Sequence, residues 1–173
     1  SIVSCYVNLA PVYAKMRTLE SSSYSLKLLL KADSISKKVE ITRSRYLDLQ
    51  NSLGELYSGE HNYDFSKSKF YRLRNLKLGY QFKDSFIIAR ACNNLADLYN
   101  KERKDSALYY INLGFKFENF SEARARLHDN LADYQVRKGK LLDALKSIHT
   151  SLEIMTKSEI NTVPTDFQIS ESL

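Results

Sequence analysis

Three stretches of the sequence carry amide and charged side chains at spacings of three and four residues, which places them along one side of a helix. Asparagine can both donate to and accept from the backbone of an extended peptide, and arginine binds a carboxylate through paired hydrogen bonds. The residues are Asp48, Asn51 and Glu55 in the first stretch, Arg90, Asn93, Asp97, Asn100 and Lys101 in the second, and Arg126, Asp129, Asp133 and Arg137 in the third. This chemistry favours recognition of a polypeptide. A helix side that is merely solvated would have the same composition, and that alternative stays open.

The residue types that catalysis or metal binding would need do not form a usable pattern. His61, His128 and His149 have no metal-ligand spacing with one another or with a cysteine. The sequence also lacks a glycine-rich phosphate loop and a nucleophile elbow. We therefore expect a protein that is not an enzyme and that holds no cofactor or metal. For Cys5 and Cys92 we expect two buried thiols and no disulfide.

A second candidate site is the basic stretch 67–83, which has six lysines and arginines, no acid and four interleaved aromatic residues. At 100° per residue Phe70 and Leu76 share one side of the helix, which should belong to the core. Basic residues on the other side could contact phosphates while aromatic rings stack on bases. The candidates are Lys67, Arg74 and Lys77. The net charge of +6 permits nucleic-acid binding without requiring it, and a solvated charged surface is the alternative.

Helical periodicity covers nearly the whole chain, and one short pattern recurs in it. A Leu followed by a small residue occurs at Leu9-Ala10, Leu53-Gly54, Leu95-Ala96 and Leu131-Ala132. After a turn, a second small residue is followed four positions later by a bulky apolar one: Ser25 and Leu29, Ser66 and Phe70, Ala107 and Ile111, Ala144 and Ile148. In the last helix Leu142, Leu145, Ile148, Leu152 and Met155 share one side. These patterns predict four helix pairs.

The helix boundaries follow from this periodicity and from residues that start and stop helices. The predicted helices span 2–16, 24–37, 42–57, 64–78, 85–100 and 105–117, followed by two more that start near Ser121 and after Gly139. A turn is expected over 19–23. Gly79 should end the fourth helix, Gly139 the seventh, and the carboxylate of Asp105 should cap the sixth.

The order of Leu, small residue, turn and small residue resembles the tetratricopeptide repeat, a helix-turn-helix unit of about 34 residues. The resemblance implies an all-α fold in which about four pairs, near residues 3–37, 47–80, 89–118 and 125–157, stack into a right-handed superhelix. It also implies that the first helix of each pair lines a concave groove that holds a peptide or a partner segment. The sequences KADSI (31–35) and KDSALYY (104–110) look like the sensory repeat regions of bacterial regulators.

The array is expected over residues 1–157, with 158–173 as a tail that either caps the last pair or begins another repeat. No run approaches the ~18 apolar residues of a membrane span, so we expect none in this chain. The compartment stays open between the cytoplasm and, for the sensor region of a membrane-bound regulator, the periplasm. The sequence thus predicts a scaffold or sensor domain, of a bacterial signalling or transcription regulator, that binds a protein or peptide in its groove. The alternatives are nucleic-acid binding through the basic stretch and homo-oligomerisation through an end of the array.

Overall fold

The protein is all-α in a computed structural model, which describes residues 2–117 and 121–162, with side chains as far as residue 158. The helices are α1 (Ile2–Ala14), α2 (Leu19–Ser36), α3 (Arg43–Leu56), α4 (Phe65–Phe82), α5 (Ser85–Lys101), α6 (Ser106–Gly114), α7 (Ser121–Arg137) and α8 (Leu141–Thr162), with a short 3-10 helix at Glu60–Asn62. The described residues contain no strand, which confirms the all-α prediction. None of the described helices has both the length and the apolar character needed to cross a membrane.

Side-chain caps decide where several helices begin. Thr18 accepts a hydrogen bond from the Ser21 amide, and the Ser21 hydroxyl accepts one from the Thr18 amide. This reciprocal cap satisfies two amides that the first turn of a helix leaves open. α2 therefore begins at Leu19, and the turn predicted over 19–23 is wrong. Asp64 and Asp84 cap α4 and α5 in the same way, by accepting from the amides three residues later.

One other predicted helix end is wrong, and one predicted cap lacks its side-chain bond. α4 continues through Gly79 to Phe82. The glycine instead allows a close approach to α5, since an added Cβ would sit 2.8 Å from Cγ1 of Ile88. Asp105 is the N-cap residue of α6, as predicted, but its carboxylate makes no capping bond and instead pairs with the Lys138 ammonium at 2.7 Å. Gly139 does take the left-handed conformation, with φ of 73°, in the turn between α7 and α8.

Each helix packs against the next along the chain, so that α1 pairs with α2, α3 with α4, α5 with α6 and α7 with α8. Successive pairs touch through α2 and α3, α4 and α5, and α6 and α7, and the first helices also meet directly where α1 contacts α3 and α5 contacts α7. One apolar cluster joins α1, α2 and α3 around Leu29 and Leu53, and another joins α4, α5 and α6 around Cys92 and Leu95.

The same buried hydrogen bond locks the first two pairs. The Ser25 hydroxyl donates to the Ala10 carbonyl at 2.7 Å, and the Ser68 hydroxyl donates to the Gly54 carbonyl at 2.8 Å. The small residue of the second pair is therefore Ser68, and the assignment of Ser66 is wrong. The 3-10 helix lengthens the turn between α3 and α4 and shifts the register of α4 by two residues.

This shift changes which side of α4 is buried. Phe70 is 57% exposed, so its predicted place in the core is wrong. The residue four positions after Ser68 is Arg72, which is buried where the first pair has Leu29. α4 thus presents a partly polar side to the rest of the protein.

The last helix, by contrast, exposes its apolar side. α8 packs on α7 through small residues, and Ala144, Ser147 and Ser151 are its buried positions. The apolar residues that share one side of the helix are exposed, among them Leu142 and Leu145. Amphipathic spacing correctly grouped these side chains, but the described part of the chain does not bury them.

The two cysteines are both free thiols, as expected, but only Cys92 is buried. Cys5 is exposed, so the prediction of two buried thiols is wrong for it. The reason is that α1 packs on its neighbours through Val3, Val7 and Ala10, and Cys5 points away from that side.

Candidate functional site

A polar cavity of about 410 Å³ lies where α3, α4, α5 and α7 meet. It is lined by Glu55, Ser58, Arg72, Asn93, Asn94, Asp97, Arg126, Asp129, Asn130 and Asp133. The sequence analysis proposed six of these residues: Glu55, Asn93, Asp97, Arg126, Asp129 and Asp133. Residues from three first helices and one second helix therefore converge on one site, which we call the polar cavity.

The other six proposed residues lie outside the lining of the polar cavity. Asn51 contacts it indirectly, because its side chain donates to Glu55 at 2.7 Å. Lys101 pairs with Asp97 at 3.2 Å. Arg137 donates to the Lys104 carbonyl at 3.2 Å. The remaining three are Asp48, Arg90 and Asn100, all half-buried.

Asparagine side chains form bridges between the helices that carry the site. Asn94 donates to the Asn51 side-chain oxygen at 2.9 Å and so joins α5 to α3. Asn130 donates to the Asn93 side-chain oxygen at 2.7 Å, and Asn100 donates to the Asn130 carbonyl at 2.8 Å, which joins α5 to α7. These amides hold the first helices against each other. They are therefore engaged within the protein, whereas the sequence analysis assigned Asn51, Asn93 and Asn100 to a ligand.

Arg72 is the residue of this site that the sequence analysis missed. It is buried, and its guanidinium donates to the Asn94 carbonyl and, at 2.8 Å, to the Ser58 hydroxyl. It also lies 3.5 Å from the Asp97 carboxylate. Burial lowers the pKa of Arg72 and the Asp97 charge opposes that effect, but a guanidinium stays protonated in proteins. The inward position of Arg72 becomes clear only when residues of α4 are counted from Ser68, which lies four residues before it, and not from Ser66.

Negative charge exceeds positive charge in the polar cavity. Asp97 is engaged by Arg72 and Lys101, but the described structure gives Asp129 and Asp133 no basic partner in a salt bridge. The pKa of Asp133 is raised, first by partial burial and then by the nearby charges of Asp129 and Asp97. The raised pKa of Asp133 thus reflects desolvation together with the like charges beside it.

Arg126, at the rim of the polar cavity, is the only other basic residue in its lining. Its guanidinium pairs with Glu122 at 2.8 Å, and the side chain is largely exposed. It therefore does little to neutralise Asp129 and Asp133. It remains available to a group that approaches the cavity from solvent.

The basic stretch does not form one surface. Lys67 pairs with Asp64 at 3.0 Å, and the guanidinium of Arg74 lies 5.2 Å from the centre of the Tyr46 ring. Arg72, from the middle of the stretch, enters the polar cavity, while Lys77 is exposed. The positive charges of α4 thus point in several directions.

A second cavity, of about 580 Å³, lies between α1, α2, α3 and the 3-10 helix. Small residues such as Ala10, Ala14 and Ser25 leave this space, and Lys15 and His61 lie at its rim. No pattern in the sequence predicts this cavity. Glu55 lines both cavities, so this space and the polar cavity meet at that residue.

The described residues include no group of three or more histidines, cysteines and acids that could hold a metal ion. Comparison of the chain with protein-family models, with curated proteins and with solved structures finds no match.

Proposed function

We propose that the protein is a non-enzymatic binding domain whose polar cavity takes a basic side chain of a peptide or partner segment. The observation that carries this proposal is the pair Asp129 and Asp133, which lines the cavity without a basic partner in the described structure, while Asp133 has a raised pKa. A lysine or arginine of the ligand would supply the missing charge through hydrogen bonds that are stronger than those between neutral groups.

The helix pairs support the same proposal. We infer that they are tetratricopeptide-like units stacked into a right-handed superhelix with the polar cavity on its concave side. The asparagine bridges from Asn94 to Asn51 and from Asn130 to Asn93 hold the first helices in place before any ligand arrives. A surface that is ordered in advance loses little conformational entropy on binding.

The proposal predicts which groups the ligand carries. A basic side chain would contact Asp129 and Asp133, and Glu55 would extend the acidic surface toward the second cavity. Arg126 is placed to bind a carboxylate or carbonyl of the same segment. A role as the sensor or scaffold region of a bacterial signalling or transcription regulator is compatible with such a ligand. We favour a peptide over nucleic acid, since the site is acidic and the basic residues of α4 are dispersed.

The test is selection from a display library of short unstructured peptides, followed by titration of the selected peptides. We expect enrichment of peptides with a lysine or arginine, and affinity that weakens as salt rises. Replacing both Asp129 and Asp133 with Asn should weaken binding by about tenfold or more, which corresponds to ~1.4 kcal/mol or more.

Asp143→Asn is the matched control, because Asp143 is an exposed acid on α8 and does not line the polar cavity. A substitution of Asn93 would not test ligand binding, since Asn93 is buried and bonded to Asn130. Selected peptides without a basic residue, or binding that the Asp129→Asn/Asp133→Asn variant retains in full, would contradict the proposal.

A further inference from the structure

An apolar stripe runs along the exposed side of α8. Its members follow one another at intervals of four, three, four and three residues, which is the spacing of a seam between two packed helices. They are Leu141, Leu145, Ile148, Leu152 and Met155, all between 38% and 63% exposed. We call this set the α8 stripe.

A second stripe runs along α1 at the other end of the molecule. Its intervals are three, four, three and four, the reverse of those in the α8 stripe. Its members are Ile2, Cys5, Leu9, Val12 and Met16, and all five are exposed. We call this set the α1 stripe, although Met16 lies just beyond the last residue of α1.

The reversed order means that the two stripes match when the helices run antiparallel. Every member then faces one member of the other stripe, in five layers. The layers pair Ile2 with Met155, Cys5 with Leu152, Leu9 with Ile148, Val12 with Leu145, and Met16 with Leu141. Alternating intervals of three and four allow two helices to interlock over such a length.

Contacts between the pairs inside the molecule support the same register. The small residue of each helix serves as a reference for comparing pairs. The references are Ala10, Gly54, Ala96 and Ala132 in the first helices, and Ser25, Ser68, Ala107 and Ala144 in the second helices. Equivalent residues are those at the same distance from their references.

Two close contacts between successive pairs give a register that can be compared with that of the stripes. Gly79 of α4 lies against Ile88 of α5, and their equivalents are Met155 and Ile2, the outermost layer of the proposed match. Gly114 of α6 lies against Leu127 of α7. The equivalents of that second contact are Ser151, next to Leu152, and Cys5. The stripes therefore match in the register of the contact between α4 and α5, but at a wider separation, because Met155 carries a side chain where α4 has a glycine.

At equivalent positions the inner helices bury apolar residues that the two stripes leave exposed. Leu29 and Ile111 are fully buried, whereas their equivalent in α8, Ile148, is 42% exposed. On the first helices Leu53 and Leu95 are fully buried, whereas their equivalent in α1 is Leu9, also 42% exposed. Apolar residues at these positions are thus buried on α2, α3, α5 and α6 and exposed on α1 and α8.

We propose that the α1 stripe of one copy docks antiparallel on the α8 stripe of a second copy, so that the protein associates head to tail. The contact joins two different surfaces, and it therefore propagates into chains unless the rotation between copies closes a ring. It does not depend on the proposed peptide site, because no member of either stripe lines the polar cavity.

Two variants test the proposal by blocking one end each. Val12→Glu blocks the α1 stripe and Leu145→Glu blocks the α8 stripe, and both positions are about 60% exposed, 59% and 63%, so neither substitution disturbs the core. The mass of each full-length chain is measured by sedimentation velocity and light scattering over a range of concentrations. Lys157→Gln is the control, because it makes the same change in net charge on the charged side of α8.

The wild type and Lys157→Gln should show a mass that rises with concentration. Each blocked variant alone should be a monomer. An equimolar mixture should give twice the monomer mass and nothing larger, because the open α1 stripe of Leu145→Glu can bind only the open α8 stripe of Val12→Glu.

Each other pattern overturns the proposal in a distinct way. If Val12→Glu alone still dimerises and Leu145→Glu does not, two α8 stripes pair with each other. The converse result means that two α1 stripes pair. If the wild type is a monomer throughout, the stripes do not join copies. In that case residues 163–173 would be deleted. If the truncated chain then binds more of a dye that reports exposed apolar surface than the full-length chain does, that segment is what covers α8.

Discussion

The side-chain amide of Asn130 on α7 donates to the side-chain oxygen of Asn93 on α5 at 2.7 Å, and both residues are buried. A hydrogen bond within a protein contributes about 0.5–1.5 kcal/mol, and the Asn130 amide keeps its longer bonds to the Asn93 and Arg126 carbonyls when the Asn93 side chain is removed. We therefore predict that Asn93→Ala lowers the free energy of unfolding by that amount. Chemical denaturation followed by circular dichroism measures the change.

Asn112→Ala is the control for this substitution, because Asn112 is an exposed residue of the neighbouring helix α6. It should change the free energy of unfolding by less than about 0.5 kcal/mol, as is usual for surface positions. Equal effects of the two substitutions would show that the bond from Asn130 to Asn93 does not hold α5 against α7.

For Gln50 on α3 we predict the opposite effect, a substitution that raises the free energy of unfolding. Its side chain is fully buried, and neither its amide nitrogen nor its amide oxygen has a hydrogen-bond partner in the described structure. Burying an unsatisfied amide costs about 1–3 kcal/mol by mutational measures. Gln50→Met keeps the length of the side chain and removes both polar atoms. It should raise the free energy of unfolding by about 1 kcal/mol or more.

The same denaturation series tests this prediction with Gln135→Met for comparison. Gln135 accepts a hydrogen bond from the Ser147 hydroxyl at 2.8 Å, so its replacement should destabilise the protein. A loss of stability in Gln50→Met would mean that this amide has a partner that stabilises it.

Local periodicity is enough to predict the helices, because each one carries its own amphipathic pattern and the turns contain residues that end helices. The register of one helix relative to the next, across the turn that joins them, is harder to predict from the sequence. The sequence gives no sign that the 3-10 helix at Glu60–Asn62 adds to the turn before α4, and the error moved the small position from Ser68 to Ser66. As a result Phe70 was assigned to the core and Arg72 was overlooked.

The site shows a second limit of sequence reasoning. A polar residue on the inner side of a helix can bind a ligand or a neighbouring helix, and its type does not distinguish the two. Asn93 and Asn51 bind other helices, whereas Asp129 and Asp133 line the polar cavity and have no basic partner among the described residues. Only the three-dimensional arrangement separates these roles. The same holds for α8, whose spacing predicts an apolar side but not what covers it.

Asp133 gives a prediction for the dependence of stability on pH. Partial burial and the charge of Asp129 raise its pKa in the folded protein above the ordinary value of 3.8. At pH values between the pKa of Asp133 in the unfolded chain and its higher pKa in the folded protein, the folded state binds more protons than the unfolded state. The free energy of unfolding therefore falls as pH rises through this range. Asp133→Asn should therefore stabilise the protein near neutral pH. Two like charges four residues apart on a helix suggest a gain of about 0.2–0.5 kcal/mol.

Thermal unfolding of both proteins at several pH values measures this difference. The gain from Asp133→Asn should shrink as pH falls toward 3.8 and disappear below it, where the carboxyl is protonated in both states. Asp143→Asn should show no such trend. A gain that instead grows on acidification would mean that the Asp133 carboxylate is stabilised by a cation within the protein.

The two thiols should differ sharply in reactivity. Burial raises the pKa of Cys92 to about 12, so almost no reactive thiolate exists at neutral pH, and the side chain is shielded from solvent. Cys5 is exposed on α1. A disulfide reagent should therefore modify one thiol rapidly and the other only on unfolding, and Cys5→Ser should abolish the rapid reaction.

The rate at Cys5 also reports on the head-to-tail contact. In the proposed docking Cys5 faces Leu152 of a second copy, so its reaction should slow as the concentration of wild-type protein rises. In Leu145→Glu, where the α8 stripe is blocked, the rate should stay constant over the same range. A rate in the wild type that does not change while the mass increases would place Cys5 outside the interface and would contradict the proposed register.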